Sequence, residues 1–354
     1  MKTILITGGA GFAGSNIAIA LKRAFPQAKV ISFDNLKRRG SELTLNRLRE
    51  NGVTFMHGDI RCPEDLSSIT SCDLIVECAA EPSVLAGRDG DPGYVLNTNL
   101  MGTIQCLEVA RKTGAAMIFL STSRIYPVKP LCDIKLDETE TRFSPSAKQS
   151  LSGVSDRGIS ESFPLEGART LYGATKLCSE HLIQEYIDTY GLKAVINRCG
   201  VLSGPWQMGK VDQGVVVLWA AKHIYGGELS YIGFGGTGKQ VRDVLHIQDL
   251  IDLLLIQVKQ LGDLSGEIFN VGGGVEVSVS LRELTALCQE VTGENIQVLQ
   301  SSESRQGDIP LYITDNTKVT ERLGWKPKRS MKECLSEITE WIRDNKELLR
   351  PILS

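Results

Sequence analysis

The stretch Thr7-Gly8-Gly9-Ala10-Gly11-Phe12-Ala13-Gly14 constrains the fold more than any other because of what flanks it. The apolar run Lys2-Thr3-Ile4-Leu5-Ile6 before it reads as a buried parallel strand, and residues 15–24 after it carry apolar side chains at helical spacing. Glycines at such a junction have separate physical jobs. Gly8 permits a tight turn, Gly11 lets the backbone approach a pyrophosphate, and Gly14 lets the helix lie close on the strand. Unpaired N–H groups at the helix start then face the phosphates. The pattern predicts a dinucleotide-binding turn, with Gly8, Gly11, Phe12, Ala13 and Gly14 as its contacts, at the head of a doubly wound, Rossmann-type α/β sheet.

The α/β rhythm continues. Residues 30–33 form a second expected strand ending in Asp34, whose carboxylate can accept from both ribose hydroxyls and so favours NAD over NADP; Asn35 joins the cofactor set. Lys37, Arg38 and Arg39 follow closely, and they suit either a 2′-phosphate or a solvated basic loop. A third strand over 53–56 leads into His57-Gly58-Asp59-Ile60, with Asp59 and Ile60 expected against an adenine. A fourth over 73–79 exits through Ala79-Ala80, which leave room for a cofactor, to Glu81, where a substrate is first reached. A helix over 97–113 carries Asn99, either a cofactor contact or a residue holding a loop. The fifth strand, 116–120, runs into Ser121-Thr122-Ser123-Arg124-Ile125-Tyr126, hydroxyls at a carboxyl-terminal strand end where ligands bind.

A polar, proline-punctuated stretch over 127–167 predicts a long functional loop covering the cleft. Residues 171–190 resume as a helix, and 194–198 as a sixth strand. Beyond it the pattern predicts helices over 212–225, 247–261, 281–292, 317–323 and 331–345, a glycine-rich hairpin over 233–238 and a strand over 267–271. The expected organisation is a dinucleotide-binding domain over 1–205 and a smaller substrate lobe over 206–354, with segments of the latter returning to the first sheet.

Composition excludes several alternatives. A net charge of −3 gives no general attraction to nucleic acid or to an anionic membrane. Nine cysteines are scattered without a C-x-x-C pair or histidines at zinc spacing, so they read as buried, reduced thiols, and no metal is expected. No charged-then-apolar leader precedes Ile4, and no apolar run approaches the roughly 20 residues of a membrane span. The expectation is a cytoplasmic protein.

The chemistry centres on Tyr172 and Lys176, four apart on one helix and thus on one face, with Thr122 at a strand end. Tyr172 serves as the acid/base for a hydroxyl; its phenol, ordinarily near pKa 10, has to be acidified, and the Lys176 charge does that. Thr122 hydrogen-bonds the reacting oxygen and orients it.

With these residues in place, the chain resembles the extended short-chain dehydrogenase/reductase family, in particular its nucleotide-sugar epimerases and dehydratases. The resemblance spans nearly every segment: the glycine turn, Phe33-Asp34-Asn35-Leu36, His57-Gly58-Asp59-Ile60, Leu171-Tyr172-Gly173-Ala174-Thr175-Lys176, Val241-Arg242-Asp243-Val244-Leu245-His246 and Leu323-Gly324-Trp325-Lys326-Pro327. Glu138-Thr139-Glu140-Thr141-Arg142-Phe143, Val211-Asp212-Gln213-Gly214 and Gly238-Lys239-Gln240 are similar to members that invert C2 of a CDP-deoxyhexose. Pro127, where the family usually has glycine, and Glu81, in place of a neutral amide, depart from the pattern.

The resemblance implies an NAD-dependent epimerase that oxidises and re-reduces a nucleotide-diphosphate sugar, acting as a homodimer. It implies that Arg242 and Arg305, with Arg198, meet the diphosphate, with Glu81, Ser123, Arg124, Gln207, Gln213 and Lys239 as further substrate contacts. The resemblance implies that the family's 4,6-dehydratases use an acidic pair directly after the strand-end threonine, where this chain has Ser123 and Arg124. Inversion at C4, decarboxylation and a noncatalytic NAD-sensing or scaffolding role are the other readings of the same motifs.

Overall fold

A computed structural model describes residues 1–88, 90–209, 213–303 and 307–354. The chain forms two compact units, each assembled from separated segments. Met1–Ile125, Thr170–Arg198 and Leu250–Phe269 make the first; Tyr126–Arg169, Cys199–Asp249 and Asn270–Ser354 make the second.

The first unit is built on a seven-stranded sheet. Its strands are β1 (Thr3–Thr7), β2 (Lys29–Asp34), β3 (Thr54–His57), β4 (Leu74–Glu77), β5 (Ala116–Thr122), β6 (Ala194–Cys199) and β7 (Ile268–Val271), in the spatial order 3-2-1-4-5-6-7. β1 pairs parallel with both β2 and β4, and the chain's crossovers reverse direction there, the point at which such sheets open a ligand crevice. Ile4, Leu5 and Ile6 are buried, as a continuous apolar run in a sheet covered on both faces requires. Helix α1 (Phe12–Ala24) follows the glycine turn. Helices α2 (Gly102–Thr113) and α3 (Leu171–Tyr190) pack together on one face. There Cys106, Leu107, Ala110 and Ile183 join Leu5, Ile75, Met117, Phe119 and Ile196 in a single apolar cluster.

The helix expected over 97–113 is interrupted in kind. Gly93–Leu96 is α-helical, Asn97–Met101 is a π turn, and α2 begins only at Gly102. Asn99 lies within this π turn and bonds to the Glu81 backbone and Thr175, and such turns are common near functional groups.

The second unit has its own four-stranded sheet centred on Val241–His246, with Val201–Ser203 and Leu311–Tyr312 parallel to it and Ser278–Ser280 antiparallel. The helices Val215–Tyr225, Leu281–Thr292 and Met331–Asp344 pack against one another. Capping boxes, Ser280 with Glu283 and Ser330 with Glu333, set two of their starts.

Two expectations give way here. The glycine-rich segment does not close a hairpin: Leu229–Ile232 pairs in parallel with the distant Val298–Ser301, and Phe234–Gly236 is a short 3-10 turn. Glycine density marked the turn but could not identify the partner strand. The polar stretch over 127–167 is not an uninterrupted loop either. It holds a helix, Val128–Cys132, and two antiparallel pairs, Leu136–Glu138 with Phe143–Pro145 and Val154–Ser155 with Gly158–Ile159.

No cysteine forms a disulfide, and they are not uniformly buried: Cys62, Cys132 and Cys178 are exposed. Among the described residues no helix is long and apolar enough to cross a membrane, and no group of His, Cys, Asp or Glu is arranged to hold a metal ion.

Candidate active site

The glycine turn of the first unit has the shape that a dinucleotide requires. Gly8 adopts φ +63°, and a Cβ there would lie 2.8 Å from the backbone of Ala79. At Gly14 an added Cβ would run into the Gly8 carbonyl, so the helix reaches the turn only without a side chain. On Gly11 it would meet only the Gly8 oxygen, at 3.1 Å, which leaves the outer side of the turn open to a close approach. Gly11 is also the N-cap of α1 and offers no side-chain cap to the first N–H groups. These features fit a bound pyrophosphate. Gly9, which the sequence reading passed over, is required too: a Cβ there would press on Ser32 of the neighbouring strand.

Asp34 ends β2 as expected. One of its carboxylate oxygens accepts from Ala10 N at 3.1 Å and the other from Leu36 N at 2.7 Å, which fixes the group while leaving acceptor sites for hydroxyls. Burial pushes its carboxyl above the usual aspartate range, and the backbone donors pull it back. Lys37 Nζ lies 4.1 Å over the ring of Tyr94, and the Arg61 guanidinium 4.9 Å over it. Asn35 Nδ2 donates to Asp59 at 2.9 Å. Arg61, by its hydrogen bonds, does most to lower the Asp59 carboxyl to about 2. Ile60 is buried against Gly102 of α2 and packs rather than projects.

Several predicted contacts turn out to be engaged elsewhere. Asn99 is fully buried, accepting from Glu81 N at 2.7 Å and donating to Glu81 O at 3.1 Å and Thr175 Oγ1 at 3.3 Å. It ties the exit of β4 to α3, the loop-holding alternative. The Glu81 carboxylate turns back to accept from Ser83 N at 3.0 Å.

Arg198 requires the largest revision. Its guanidinium is buried and donates to both oxygens of Glu180, Nε at 3.1 and 3.2 Å and a terminal nitrogen at 2.8 Å, while Ser121 Oγ donates to the same carboxylate at 2.5 Å. Such a bidentate pair inside the fold holds β5, β6 and α3 together and commits Nε and one terminal nitrogen of the guanidinium to Glu180.

Tyr172 and Lys176 occupy the first turns of α3, which packs against β5 and the short turn Ser123–Ile125. Thr170 caps the helix by accepting from Gly173 N at 3.2 Å. Thr122 ends β5, and its Oγ1 accepts from Arg124 N at 3.2 Å. Tyr172 is partly exposed, whereas Lys176 is buried with Nζ 3.9 Å over the Phe119 ring. The first unit therefore carries a phenol at its surface and an ammonium directly behind it on the same helix face.

In the second unit Arg242 donates to Asp308 Oδ1 at 3.0 Å and Ile309 O at 2.8 Å, and Lys239 pairs with Glu138 at 2.7 Å. Gln207 bonds Leu202 O and Ser203 Oγ, and Gln213 precedes the helix Val215–Tyr225. Arg305 lies outside the described residues.

A Rossmann-type sheet, a glycine cradle and a tyrosine–lysine pair define a dinucleotide-dependent enzyme of the dehydrogenase kind. Residues 4–272 match the NAD dependent epimerase/dehydratase family, and the chain belongs to it, with NAD as its cofactor. It is 31% identical to CDP-paratose 2-epimerase of Salmonella typhi, over 96% of this chain and 98% of that one. With dTDP-glucose 4,6-dehydratase of Streptomyces niveus the identity is 29%, over 99% and 96%. Among solved structures, dTDP-glucose 4,6-dehydratase from Streptomyces venezuelae, with NAD bound, superposes with a TM-score of 0.78 at 27% identity and 99% coverage of both chains. UDP-glucose 4-epimerase of Thermotoga maritima, with UDP-glucose, gives 0.76 at 26% identity, covering 97% and 99%.

Proposed function

We propose that this enzyme epimerises a nucleotide-diphosphate sugar by transient oxidation and re-reduction, at C2 of a CDP-deoxyhexose. The observation that carries the reading is the end of β5, where Thr122 is followed by Ser123 and Arg124. The resemblance implies that the family's dehydratases eliminate water with an acidic pair at those two positions. A hydroxyl and a guanidinium cannot supply it. The similarity to CDP-paratose 2-epimerase over nearly the whole of both chains supports C2 and the cytidine base.

Tyr172 takes the hydroxyl proton as the carbon is oxidised and gives it back on reduction, each a proton transfer worth about 10² to 10⁴ in rate. Lys176 lowers the phenol by its charge, and Thr122 holds the reacting oxygen in line. NAD held by the glycine turn and Asp34 would supply the hydride acceptor for oxidation and the donor for re-reduction, so that no net redox change would result. Arg242 and Arg305 take the diphosphate, Arg242 by exchanging its contact with Asp308 for phosphate oxygens. Asp34 holds the ribose, and the cofactor stays bound between turnovers.

The test follows the hydrogen. Turnover of a C2-deuterated CDP-deoxyhexose in water should retain the label through inversion, and turnover in heavy water should place no deuterium on carbon. Solvent deuterium at C5 would make the enzyme a dehydratase, and inversion at C4 would keep the mechanism but replace the substrate assignment.

A further inference from the structure

The carboxyl of Glu77 has no part in the chemistry described above, yet it lies fully buried at the carboxyl end of the central strand β4. Register places it between Thr7 of β1 and Phe119 of β5, so the three side chains form one row on one face of the sheet. Neighbouring strands are about 4.8 Å apart, and Lys176 Nζ sits 3.9 Å over the ring of Phe119, next in that row. Helix α2 closes the row from above. Thr103 Oγ1 donates to Glu77 Oε1 at 2.6 Å, and the Cys106 thiol is buried beside it. The other carboxyl oxygen, Oε2, is buried with no hydrogen-bond partner.

An ammonium taken out of water loses its proton unless a negative charge is held nearby. We infer that Glu77 is that charge: a positioning residue that keeps Lys176 protonated and so sustains the acidity of Tyr172. The inference rests on reading Tyr172 and Lys176 as the acid/base pair. Burial drives the Glu77 carboxyl upward and the Lys176 charge pulls it down, the reciprocal of the same interaction. Among the described residues, the titratable groups facing Glu77 are Lys176 from α3 and Cys106 from α2, and burial pushes the latter's thiol well up, leaving it neutral. Lys176 is therefore the cation that the carboxylate serves.

Glu77→Gln keeps the shape and an acceptor for Thr103 while removing the charge. The readout is the tyrosinate absorbance of the NAD-loaded protein against pH, taken as the difference from the same protein carrying Tyr172→Phe. This reports Tyr172 without any substrate. Glu77→Gln should move the Tyr172 midpoint upward by a pH unit or more, a tenfold loss of acidity, and Glu77→Asp should restore most of it. An unchanged midpoint would overturn the inference. So would a downward one, because Lys176 would then have kept its proton unaided.

Stability gives a second reading if Glu77→Gln folds poorly. The pair Glu77→Gln with Lys176→Met removes the buried amine left without its counter-charge, so its urea midpoint should exceed that of Glu77→Gln alone. A double variant weaker than either single change would overturn the assignment. Retained turnover in Tyr172→Phe would instead defeat the acid/base reading, and leaves the Glu77–Lys176 coupling to be judged by the urea series.

Discussion

Replacing Arg198 by methionine separates a structural guanidinium from a phosphate ligand. The change keeps an unbranched apolar stem, removes the guanidinium and strands the Glu180 carboxylate, with Ser121 Oγ left to satisfy it. Charged hydrogen bonds are worth about 1.5–3 kcal/mol each, and breaking a buried ion pair from one side costs about 3–5 kcal/mol. The expected loss is therefore about 3–5 kcal/mol at pH 7.

Urea unfolding of wild type and variant at pH 7 checks this. Adding Glu180→Leu to the variant should recover most of the neutral-pH loss. A variant within 1 kcal/mol of wild type at pH 7, with a raised substrate constant instead, would refute the reasoning and return Arg198 to the diphosphate.

Further outcomes follow from the site. Tyr172→Phe should cut turnover by about 10² to 10⁴ while substrate binding measured by calorimetry stays within a few-fold. Asp34→Ala should weaken NAD more than NADP, read by competition; tight NADP binding to the unmodified protein would contradict the ribose assignment. The protein should be a homodimer by light scattering at micromolar concentration, because Leu96, Met101, Leu171 and Tyr190 lie exposed on the Gly93–Leu96 turn, the adjoining π turn and α3, and a two-fold would bury them against their equivalents.

What could be read from the sequence was what depends on neighbours in the chain. The glycine turn, the buried runs of β1 and β5, and the four-residue spacing of Tyr172 and Lys176 are local, and the structure has each where the pattern put it. Pairing between distant segments was not readable. Leu229–Ile232 reaches Val298–Ser301 across some seventy intervening residues, and no periodicity in either names the other. The π turn was equally hidden, since Asn97-Thr98-Asn99-Leu100-Met101 has the spacing of an ordinary helix.

Charges at the site show the same limit in a sharper form. An arginine at the end of a strand signals a guanidinium, and its meaning depends on whether a carboxylate waits inside the fold. For Arg198 the partner is on α3, eighteen residues earlier, at a position that reads as a plain helical glutamate. Glu77 did leave a trace. It closes Leu74-Ile75-Val76, a run that has to be buried on both faces, and a carboxyl there is costly unless something compensates it. The candidates for that compensation are the cations of the covering helices, and Lys176 is the lysine of α3 that lies buried. A charge inside an apolar strand was thus a pointer to the electrostatics behind Tyr172, readable once burial of the strand is taken as a constraint on every residue in it.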